Sequence, residues 1–265
     1  MRMEEWLAAN VSKGDDVVVT GSSSGIGYEY ARRLSAAKCN LICISNEAPA
    51  LAAQKSQFES EFGNRIETIT VDLRNIEETK RVAASLVSRS IKVLINNAGF
   101  GLKGRFEAHA IEEYVDIVAV NVTAPMVMAR AILPQMQQRG IGVMIHVASI
   151  NALVPIPNNQ VYTATKAFTA SYASAMAREN KGTGLRFQLV LPGTTRTPFH
   201  DRQGANPKNL VMLPEDVVSA SLDDISREVC IPNRADKVLA KIIPFLPKNT
   251  AMDIAAFLLK KRLGI

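Results

Sequence analysis

Tyr162 and Lys166 are the residue pair in this sequence with the clearest capacity for chemistry. They stand four positions apart in a segment, 160–177, that has no Pro or Gly. Its small and apolar residues recur at helical spacing, which places both side chains on one face of a predicted helix. A phenol with an ordinary pKa of about 10 is a poor proton shuttle near neutrality, but an ammonium group about 4 Å away stabilises the phenolate by roughly 4 kcal/mol at an effective dielectric constant of about 20. The spacing predicts a proton donor beside the group that lowers its pKa, although an exposed tyrosine beside a solvated lysine would have the same spacing.

A glycine-rich turn near the N-terminus predicts a second functional element. The run 16–20 is short and β-branched, which indicates a buried strand. Gly21, Gly25 and Gly27 follow it, and a helical pattern begins at residue 28. This order places backbone N–H groups and a helix N-terminus against a pyrophosphate. An ordinary loop with three glycines is the alternative, and the position directly after a strand favours a nucleotide loop.

The remainder of the chain continues this alternation of strands and helices. Further strands are predicted at 40–45, 65–71, 92–95, 141–148, 185–191 and 228–231, and helices at 28–38, 48–62, 76–88, 111–139, 160–177 and 214–227. The pattern predicts an α/β fold with a doubly wound, mostly parallel sheet. We expect a single domain, 1–265, with a core at 14–234 and a C-terminal extension at 235–265. Ligands of such sheets bind at the carboxyl ends of the strands, where the sequence places Gly21, Asp72, Asn97, Ser149 and Pro192.

Composition and charge are those of an ordinary globular protein. The chain has 265 residues, of which 47% are hydrophobic and 21% charged, and a net charge of +6. That charge permits a weak attraction to phosphates or anionic lipid but does not require a nucleic-acid partner. Three cysteines without a C-x-x-C pair favour a reducing cytoplasm and indicate no metal site. The first ten residues lack the apolar run of a signal peptide, and no apolar stretch is expected to reach transmembrane length.

Six motifs in this order resemble the short-chain dehydrogenase/reductase family, and the resemblance covers nearly the whole chain. They are T-G-x-x-x-G-I-G at 20–27, Asp72, N-N-A-G at 96–99, Asn121, Ser149 with Tyr162-x-x-x-Lys166, and P-G-x-x-x-T at 192–197. The resemblance implies a Rossmann fold and an enzyme that transfers hydride between a nicotinamide cofactor and a carbonyl or secondary alcohol carbon. A non-catalytic dinucleotide sensor is the alternative, and the intact proton-handling residues argue against it.

The resemblance also implies a role for each of four catalytic residues. Tyr162 would be the general acid in carbonyl reduction and the base in alcohol oxidation. Lys166 would lower the pKa of Tyr162 and hydrogen-bond the nicotinamide ribose. Ser149 would hold the substrate oxygen, and Asn121 would hold a water that links Lys166 to solvent. From the residues alone, Ser149 could equally be a turn hydroxyl, and Asn121 a polar residue at a break in its helix.

The cofactor site implied by the resemblance runs along the carboxyl edge of the sheet. Its expected residues are Gly21, Ser23, Ser24, Gly25 and Ile26 at the diphosphate, Ser45, Asn46, Asp72, Leu73, Asn97, Ala98 and Gly99 around the adenosine, and Tyr162, Lys166, Pro192, Gly193, Thr195 and Thr197 around the nicotinamide. Gly27 belongs to the same cofactor loop, where it would let the helix and the strand pack closely. NAD-dependent enzymes of this fold usually place a carboxylate at the end of the second strand. Ser45 and Asn46 stand there instead, which favours NADP over NAD, although the adjacent Glu47 could turn inward.

The residues expected around the substrate are mostly apolar and favour a lipophilic ketone or alcohol, such as a 3-oxoacyl chain or a steroid-like ring. They are Phe100, Leu102, Ile150, Leu153, Val154, Ile156 and Phe199, with Met212 and Leu213 on a loop that follows Thr197. Ordinary core packing is the alternative for these positions. His200 and Arg202 could meet an anionic substrate group, but a solvated loop is the favoured interpretation.

The C-terminal extension contains two amphipathic segments with basic ends, KVLAKIIPFLP and MDIAAFLLKKRL. They could pack on the substrate loop, join a subunit interface or touch a membrane surface, and packing or oligomer contact is favoured. The resemblance implies a homodimer or homotetramer whose interface is formed by the helices that carry Asn121 and Tyr162. A peripheral membrane enzyme that reduces a lipid is a further alternative.

Overall fold

A computed structural model describes residues 1–201 and 211–263 of the chain. In these residues the centre of the fold is a seven-stranded sheet, all parallel, in the order β3-β2-β1-β4-β5-β6-β7. Its strands are β1 (Asp16–Thr20), β2 (Asn40–Ser45), β3 (Ile66–Thr70), β4 (Ile91–Asn96), β5 (Gly142–Val147), β6 (Leu185–Val190) and β7 (Val229–Cys230). Each predicted strand is present within one residue at either end, and the predicted doubly wound α/β fold is confirmed.

The strand order reverses beside β1, and this reversal determines where a ligand can bind. From β1 the chain proceeds through β2 to β3 on one side, and then returns to β4 on the other side. Because the connections leave in opposite directions, a crevice forms at the carboxyl ends of β1 and β4. Gly21 and Asn97 directly follow these two strands, so the fold brings both predicted site residues to this crevice.

Helices cover both faces of the sheet. They are α1 (Met3–Asn10), α2 (Gly25–Ala36), α3 (Ala48–Phe62), α4 (Ile76–Leu86), α5 (Ile111–Val118), α6 (Ala124–Arg139), α7 (Gln160–Glu179), α8 (Pro198–Asp201), α9 (Pro214–Leu222), α10 (Arg234–Ile242) and α11 (Lys248–Leu263). Side chains alternate along a strand, so Val17 and Val19 pack with α1, α2, α3 and α9, whereas Val18 packs with α4, α6 and α7. The continuous apolar run of β1 is thereby buried on both faces.

The N-terminal helix α1 is an element that the sequence analysis missed. Met3, Trp6 and Leu7 are buried and belong to the same apolar cluster as Val17 and Val19. Their spacing of three and four residues is that of one helical face, so this signal was available in the sequence.

The predicted helix 111–139 is present and has an irregular centre. After α5 the chain makes a π-helical turn at Ala119–Thr123 and then continues as α6. By length and composition this helix could cross a membrane, so the expectation that no stretch reaches that length was wrong. Met128, Ile132 and Met136 are buried in the core against the sheet and α4, which is the arrangement of a core helix in a globular domain.

The C-terminal extension folds back onto the body of the domain. Helix α10, a short 3-10 turn (Ile243–Phe245) and α11 follow β7. Ile243, Ala251 and Ala255 form an apolar cluster with Val154 and Ile156. Val154 and Ile156 lie between β5 and α7, so the extension packs beside the segment that joins Ser149 to Tyr162.

The buried imidazole of His146 in β5 gives the fold a pH dependence that can be measured. Neither ring nitrogen has a hydrogen-bond partner among the described residues, and burial lowers the pKa of His146 from 6.5 to about 4. The unfolded chain therefore binds more protons between these two values. We expect the stability contribution of neutral His146 to be complete above pH 6.5 and to fall as the pH drops towards about 4, by at most about 1.4 kcal/mol per pH unit.

Chemical denaturation at a series of pH values measures this effect in the parent chain and in His146→Phe. In the parent chain the rings of His146 and Tyr172 lie 5.5 Å apart, and the substitution keeps an aromatic ring at this position. The variant should lose part of the slope between pH 6.5 and 4. Identical slopes in the two proteins would contradict the buried neutral imidazole.

Candidate active site

Helix α7 holds Tyr162 and Lys166 on one buried face, as their spacing predicts. Both side chains are buried, so an exposed tyrosine beside a solvated lysine is excluded. The Nζ of Lys166 donates a hydrogen bond to the carbonyl oxygen of Val147 at 3.1 Å, and it lies 5.8 Å from the centroid of the Tyr162 ring. The end of β5 thus fixes the ammonium group beside the phenol.

The protonation of this pair is governed by burial. Burial raises the pKa of Tyr162 to about 12, against the opposing effect of a hydrogen bond with Ser149. Burial also lowers the pKa of Lys166 to about 8. The cost of desolvating the phenolate outweighs the hydrogen bond with Ser149. Tyr162 is therefore protonated at neutral pH, which is the state that can donate a proton. The lowering of the Tyr162 pKa by Lys166 stays a prediction.

Ser149 lies at the end of β5 and serves two structural purposes. It is the N-cap of a 3-10 turn, Ile150–Leu153, where its Oγ accepts a hydrogen bond from the N–H of Asn151 at 3.2 Å. The same hydroxyl interacts with Tyr162. The turn hydroxyl that the sequence allowed is therefore present, and the same hydroxyl reaches the phenol. The role of Ser149 in holding the substrate oxygen stays a prediction.

Asn121 sits in the π-helical turn and binds the loop after β4. Its Oδ1 accepts from the N–H of Phe100 at 3.1 Å, and its Nδ2 donates to the carbonyl oxygen of Phe100 at 2.9 Å and to Oγ1 of Thr165 at 3.0 Å. The predicted helix irregularity is present. Asn121 and Lys166 also line one small internal cavity of about 10 Å³, roughly the room that one water needs. The water-holding role stays a prediction.

The glycine turn is a close-packed cradle between β1 and α2. Gly21 and Gly25 adopt left-handed φ angles of 64° and 57°, which suit glycine. A Cβ on Gly21 would lie 2.8 Å from the Cα of Ala98, and one on Gly25 would lie 2.8 Å from Cγ2 of Thr197. The turn therefore leaves no room for side chains at these two positions.

Gly27 acts by packing rather than by lining the site. A Cβ at this position would overlap the carbonyl oxygen of Gly21 and the Nδ2 of Asn97. The Nδ2 of Asn97 donates to the carbonyl oxygens of Thr20 and Gly21 at 3.0 and 3.2 Å. Gly27 does not line the large cavity, and these contacts are those of a glycine that lets the helix pack closely against the strand, as the sequence predicts.

One cavity of about 460 Å³ joins the glycine turn to Tyr162. Every predicted cofactor residue except Gly27 lines it: Gly21, Ser23, Ser24, Gly25, Ile26, Ser45, Asn46, Asp72, Leu73, Asn97, Ala98, Gly99, Tyr162, Lys166, Pro192, Gly193, Thr195 and Thr197. Ser149 lines it as well, whereas Asn121 lies behind Lys166 in the small cavity. The fold thus brings together residues that are far apart in the sequence.

The end of this cavity near β2 and β3 is polar. The Oγ of Ser45 donates to the Oγ of Ser23 at 2.8 Å, and Asn46 and Glu47 line the wall beside them. Arg74 is a lining residue that the sequence analysis missed. Its guanidinium bonds Asp72 at 2.6 Å, and this pairing lowers the pKa of the Asp72 carboxyl.

The other end of the cavity is apolar and matches the substrate prediction in part. Six of the expected residues line it: Phe100, Leu102, Ile150, Val154, Ile156 and Phe199. The rings of Tyr162 and Phe199 lie 5.6 Å apart. One expectation was wrong, because Leu153 packs against Ala148 in another cluster. Met212 and Leu213 lie on the segment between α8 and α9, where Met212 is buried in the sheet core and Leu213 is exposed. Arg202 lies outside the described residues.

The C-terminal extension supplies a wall of the cavity that the sequence analysis did not assign. Leu239, Ile243, Ala255, Leu258, Leu259 and Arg262 all line it. Arg262 forms a buried ion pair of 2.5 Å with Asp236, and a Cβ on Gly193 would overlap the Asp236 carboxylate. This ion pair fixes the end of α11 beside the Pro192–Gly193 turn.

Lys103 is a second lining residue that was missed. Its Nζ is buried and has no hydrogen-bond partner among the described residues, and burial lowers its pKa to about 8. Its backbone carbonyl oxygen bonds Nε2 of His109 at 2.8 Å. An unpaired ammonium group in a mostly apolar wall offers one donor to an oxygen atom of a ligand.

In the described part of the chain, no group of three or more His, Cys, Asp or Glu side chains is arranged to hold a metal ion. The absence of a metal site stays a prediction.

A comparison of the sequence with models of protein families identifies the family to which this chain belongs. The family model described as short chain dehydrogenase matches residues 15–208, a range that includes the glycine turn, Asn121, Ser149, Tyr162 and Lys166. The chain belongs to the short-chain dehydrogenase family. It is therefore an oxidoreductase of that family, as its motifs implied.

Relatives of this short-chain dehydrogenase include reductases of oxoacyl groups by name. Ketoacyl reductase HetN from Nostoc sp. is 33% identical over 247 residues, which cover 91% of the chain and 84% of that protein. Very-long-chain 3-oxoacyl-CoA reductase-A from Danio rerio is 31% identical over 183 residues, or 68% of the chain. The match spans only 57% of the length of the Danio rerio protein.

A solved structure of similar shape is a short-chain dehydrogenase from Sphingobium yanoikuyae in complex with NADPH. It has a TM-score of 0.80 and 28% sequence identity, and the match covers 88% of this chain and 96% of the other. The comparison confirms that the sheet and its flanking helices form the fold of the family.

The residues of this short-chain dehydrogenase fit a nicotinamide dinucleotide. Helix α2 begins at Gly25, and its N-cap Ser24 makes no side-chain cap bond. The first turn of a helix has N–H groups without intrahelical partners, and these suit phosphate oxygens. The crowding at Gly21 and Gly25 leaves backbone, rather than side chains, facing the cavity.

Proposed function

We propose that this dehydrogenase uses NADPH to reduce a lipophilic ketone, with 3-oxoacyl chains as the substrate class. The observation that carries the proposal is the buried hydroxyl of Tyr162, paired with Ser149, in a cavity with one polar end and one apolar end. The names of the Nostoc and Danio rerio relatives support the oxoacyl class.

The chain's own residues would handle the proton and the carbonyl oxygen. NADPH, when bound, supplies the hydride that the carbonyl carbon accepts. Ser149 would donate a hydrogen bond to the carbonyl oxygen, and Tyr162 would give its phenolic proton to that oxygen as negative charge develops there. Lys166, held by Val147, would stabilise the phenolate that remains. Asn121 would hold the water through which the proton on Tyr162 is restored.

The substrate end supports an extended apolar ligand with an oxygen function. The wall made by Val154, Ile156 and the C-terminal helices is apolar, and apolar walls with a few polar groups are typical of lipophilic ligand sites. Lys103 adds the one unpaired ammonium group found on this wall in the described residues. A thioester carbonyl or an anionic group beyond the ketone would supply its partner.

The preference for NADPH is supported by the residues at the end of β2. Ser45 and Asn46 are neutral and carry groups that can bond a 2′-phosphate, and the Sphingobium yanoikuyae neighbour is described with NADPH. Arg74 adds positive charge nearby, and its ion pair with Asp72 partly neutralises that charge. Together these groups would accept a phosphate, against the repulsion of the Glu47 carboxylate that lines the same wall.

Replacement of Asn46 by Asp tests this preference directly. We expect the parent chain to bind NADPH at least about tenfold more tightly than NADH, and Asn46→Asp to weaken NADPH binding by about tenfold or more, because the new carboxylate repels the 2′-phosphate. Affinity for NADH in the same variant is the internal control and should not fall. Fluorescence titration measures both constants. Equal affinities in the parent chain, or unchanged NADPH binding in the variant, would contradict the proposal.

We also propose a homodimer or homotetramer assembled through the helices that carry Asn121 and Tyr162. Ile111, Val115 and Val118 are exposed large apolar side chains at spacings of four and three residues on α5, and Phe168 is exposed on α7. This apolar surface would be covered in an oligomer.

A cytoplasmic location is supported by the three free, buried cysteines, which suit a reducing compartment.

A further inference from the structure

The outer face of α10 carries an apolar stripe that the fold leaves exposed. Val238, Ile242 and Phe245, at spacings of four and three residues, are 58%, 48% and 88% exposed. These three residues, here called the α10 stripe, lie on one side of α10 and of the 3-10 turn that continues it. Because the interior of the domain does not use these side chains, their exposure needs an explanation outside the fold.

The opposite face of the same segment lines the active-site cavity. Leu239 and Ile243 belong to the cavity wall, and Ile243 packs with Ala251 and Ala255. The segment that carries the α10 stripe is therefore one helix thick between the cavity and the surface. A lipophilic molecule that met the stripe would be close to the substrate end of the site.

The charge around the α10 stripe indicates the kind of surface that it meets. Residues 234–262 contain seven basic and two acidic side chains, a net charge of +5, whereas the entire chain has +6. Arg234, Lys237 and Lys241 are exposed on α10, and none of these three forms an ion pair within the described residues. An apolar stripe flanked by unpaired basic groups is typical of a helix that lies in the head-group region of an anionic bilayer.

We propose that the α10 stripe docks this protein on the surface of an anionic lipid bilayer. Val238, Ile242 and Phe245 would enter the boundary between head groups and acyl chains, and Arg234, Lys237 and Lys241 would meet the anionic head groups. A second copy of the chain is a poorer occupant, since Arg234, Lys237 and Lys241 of each copy would face those of the other. If the proposed ketone reduction holds, docking would also bring a membrane-dissolved substrate to the cavity.

Vesicle flotation with the full chain tests the docking without any need for turnover. The probes are vesicles of phosphatidylcholine alone and of phosphatidylcholine mixed with phosphatidylglycerol. We expect the protein to float with the mixed vesicles, to remain unbound with neutral ones, and to be released by salt, because screening weakens the attraction of the basic groups. Failure of the full chain to bind mixed vesicles at low salt overturns the proposal.

Two matched pairs of variants locate the binding surface. Val238→Ser and Val87→Ser remove the same side chain from sites of 58% and 55% exposure, and only the first should lower vesicle binding. Phe245→Ser removes the largest side chain of the stripe and should lower it by about tenfold or more. Lys237→Gln with Lys241→Gln should lower it, whereas Lys55→Gln with Lys80→Gln should have a smaller effect at the same change in net charge.

Equal losses in the test and control variants would overturn the proposal, because binding would then depend on general charge or apolarity. Loss of self-association in Phe245→Ser, without any vesicle binding by the parent chain, would assign the stripe to a contact between copies and would also overturn it. Turnover of a water-soluble ketone is measured in parallel, so that failure of the proposed reductase activity is distinguished from failure of membrane docking.

Discussion

Tyr162→Phe is expected to lower turnover by about two to four orders of magnitude, the usual contribution of a positioned general acid, while binding of NADPH changes little. The substitution keeps the buried ring beside Phe199 and removes only the phenolic hydroxyl. The Oγ of Ser149 keeps its hydrogen bond from the N–H of Asn151, so the turn that positions it should persist. Steady-state kinetics with a ketone and NADPH, together with a fluorescence titration, measure the two quantities.

Tyr172→Phe is the matched control for this result. Tyr172 lies on the same helix, and burial raises its pKa to about 12 as well, but it packs against Phe168 and His146 rather than the cavity. The control should retain turnover. Comparable turnover in Tyr162→Phe and the parent chain would remove Tyr162 from the proposed mechanism, and an equal loss in both variants would indicate damage to α7.

Gly27→Ala is expected to weaken binding of the dinucleotide by roughly ten- to a hundredfold. The new Cβ would overlap the carbonyl oxygen of Gly21 and the Nδ2 of Asn97. The first atom belongs to the turn that forms the cradle and the second donates hydrogen bonds to it. The turn must therefore shift, and such overpacking typically costs about 1–3 kcal/mol. The loss should appear for NADPH and NADH alike, because the diphosphate is common to both.

Gly14→Ala serves as the control, since a Cβ at that position would meet nothing within 4 Å. Titration of both variants with both dinucleotides, with thermal unfolding as a check on folding, separates a local shift of the turn from a global loss of stability. Binding by Gly27→Ala that is as tight as that by Gly14→Ala would show that the cradle tolerates the methyl group, contrary to this account.

The parts of the fold that were predictable from sequence are those encoded by local patterns. The β-branched run of β1 specified a strand buried on both faces, and Val17, Val18 and Val19 are fully buried. The order of the motifs also predicted the cavity, because the carboxyl ends of parallel strands lie at one edge of a sheet. The packing role of Gly27 was predictable from its place at the start of the helix, whereas the atoms that its missing Cβ leaves room for, the carbonyl oxygen of Gly21 and the Nδ2 of Asn97, are known only from the structure.

The properties that were not predictable depend on distant contacts. The pKa of Tyr162 is set by burial, and burial depends on elements far from α7 in sequence. Amphipathic spacing identified the C-terminal helices but not the surface that each face meets, so Leu239 and Ile243 were missed as cavity residues. Nothing in the sequence around Lys103 indicates that its ammonium group is buried.

The most direct test of the central claim is hydride transfer itself, followed with NADPH that carries deuterium at the transferable position of C4 and a 3-oxoacyl thioester as substrate. Mass spectrometry of the product should find one deuterium on the new carbinol carbon, at a rate that falls in Tyr162→Phe and not in Tyr172→Phe. Absence of labelled alcohol across 3-oxoacyl chains of different length, from a protein that binds NADPH, would contradict the proposed ketone reduction.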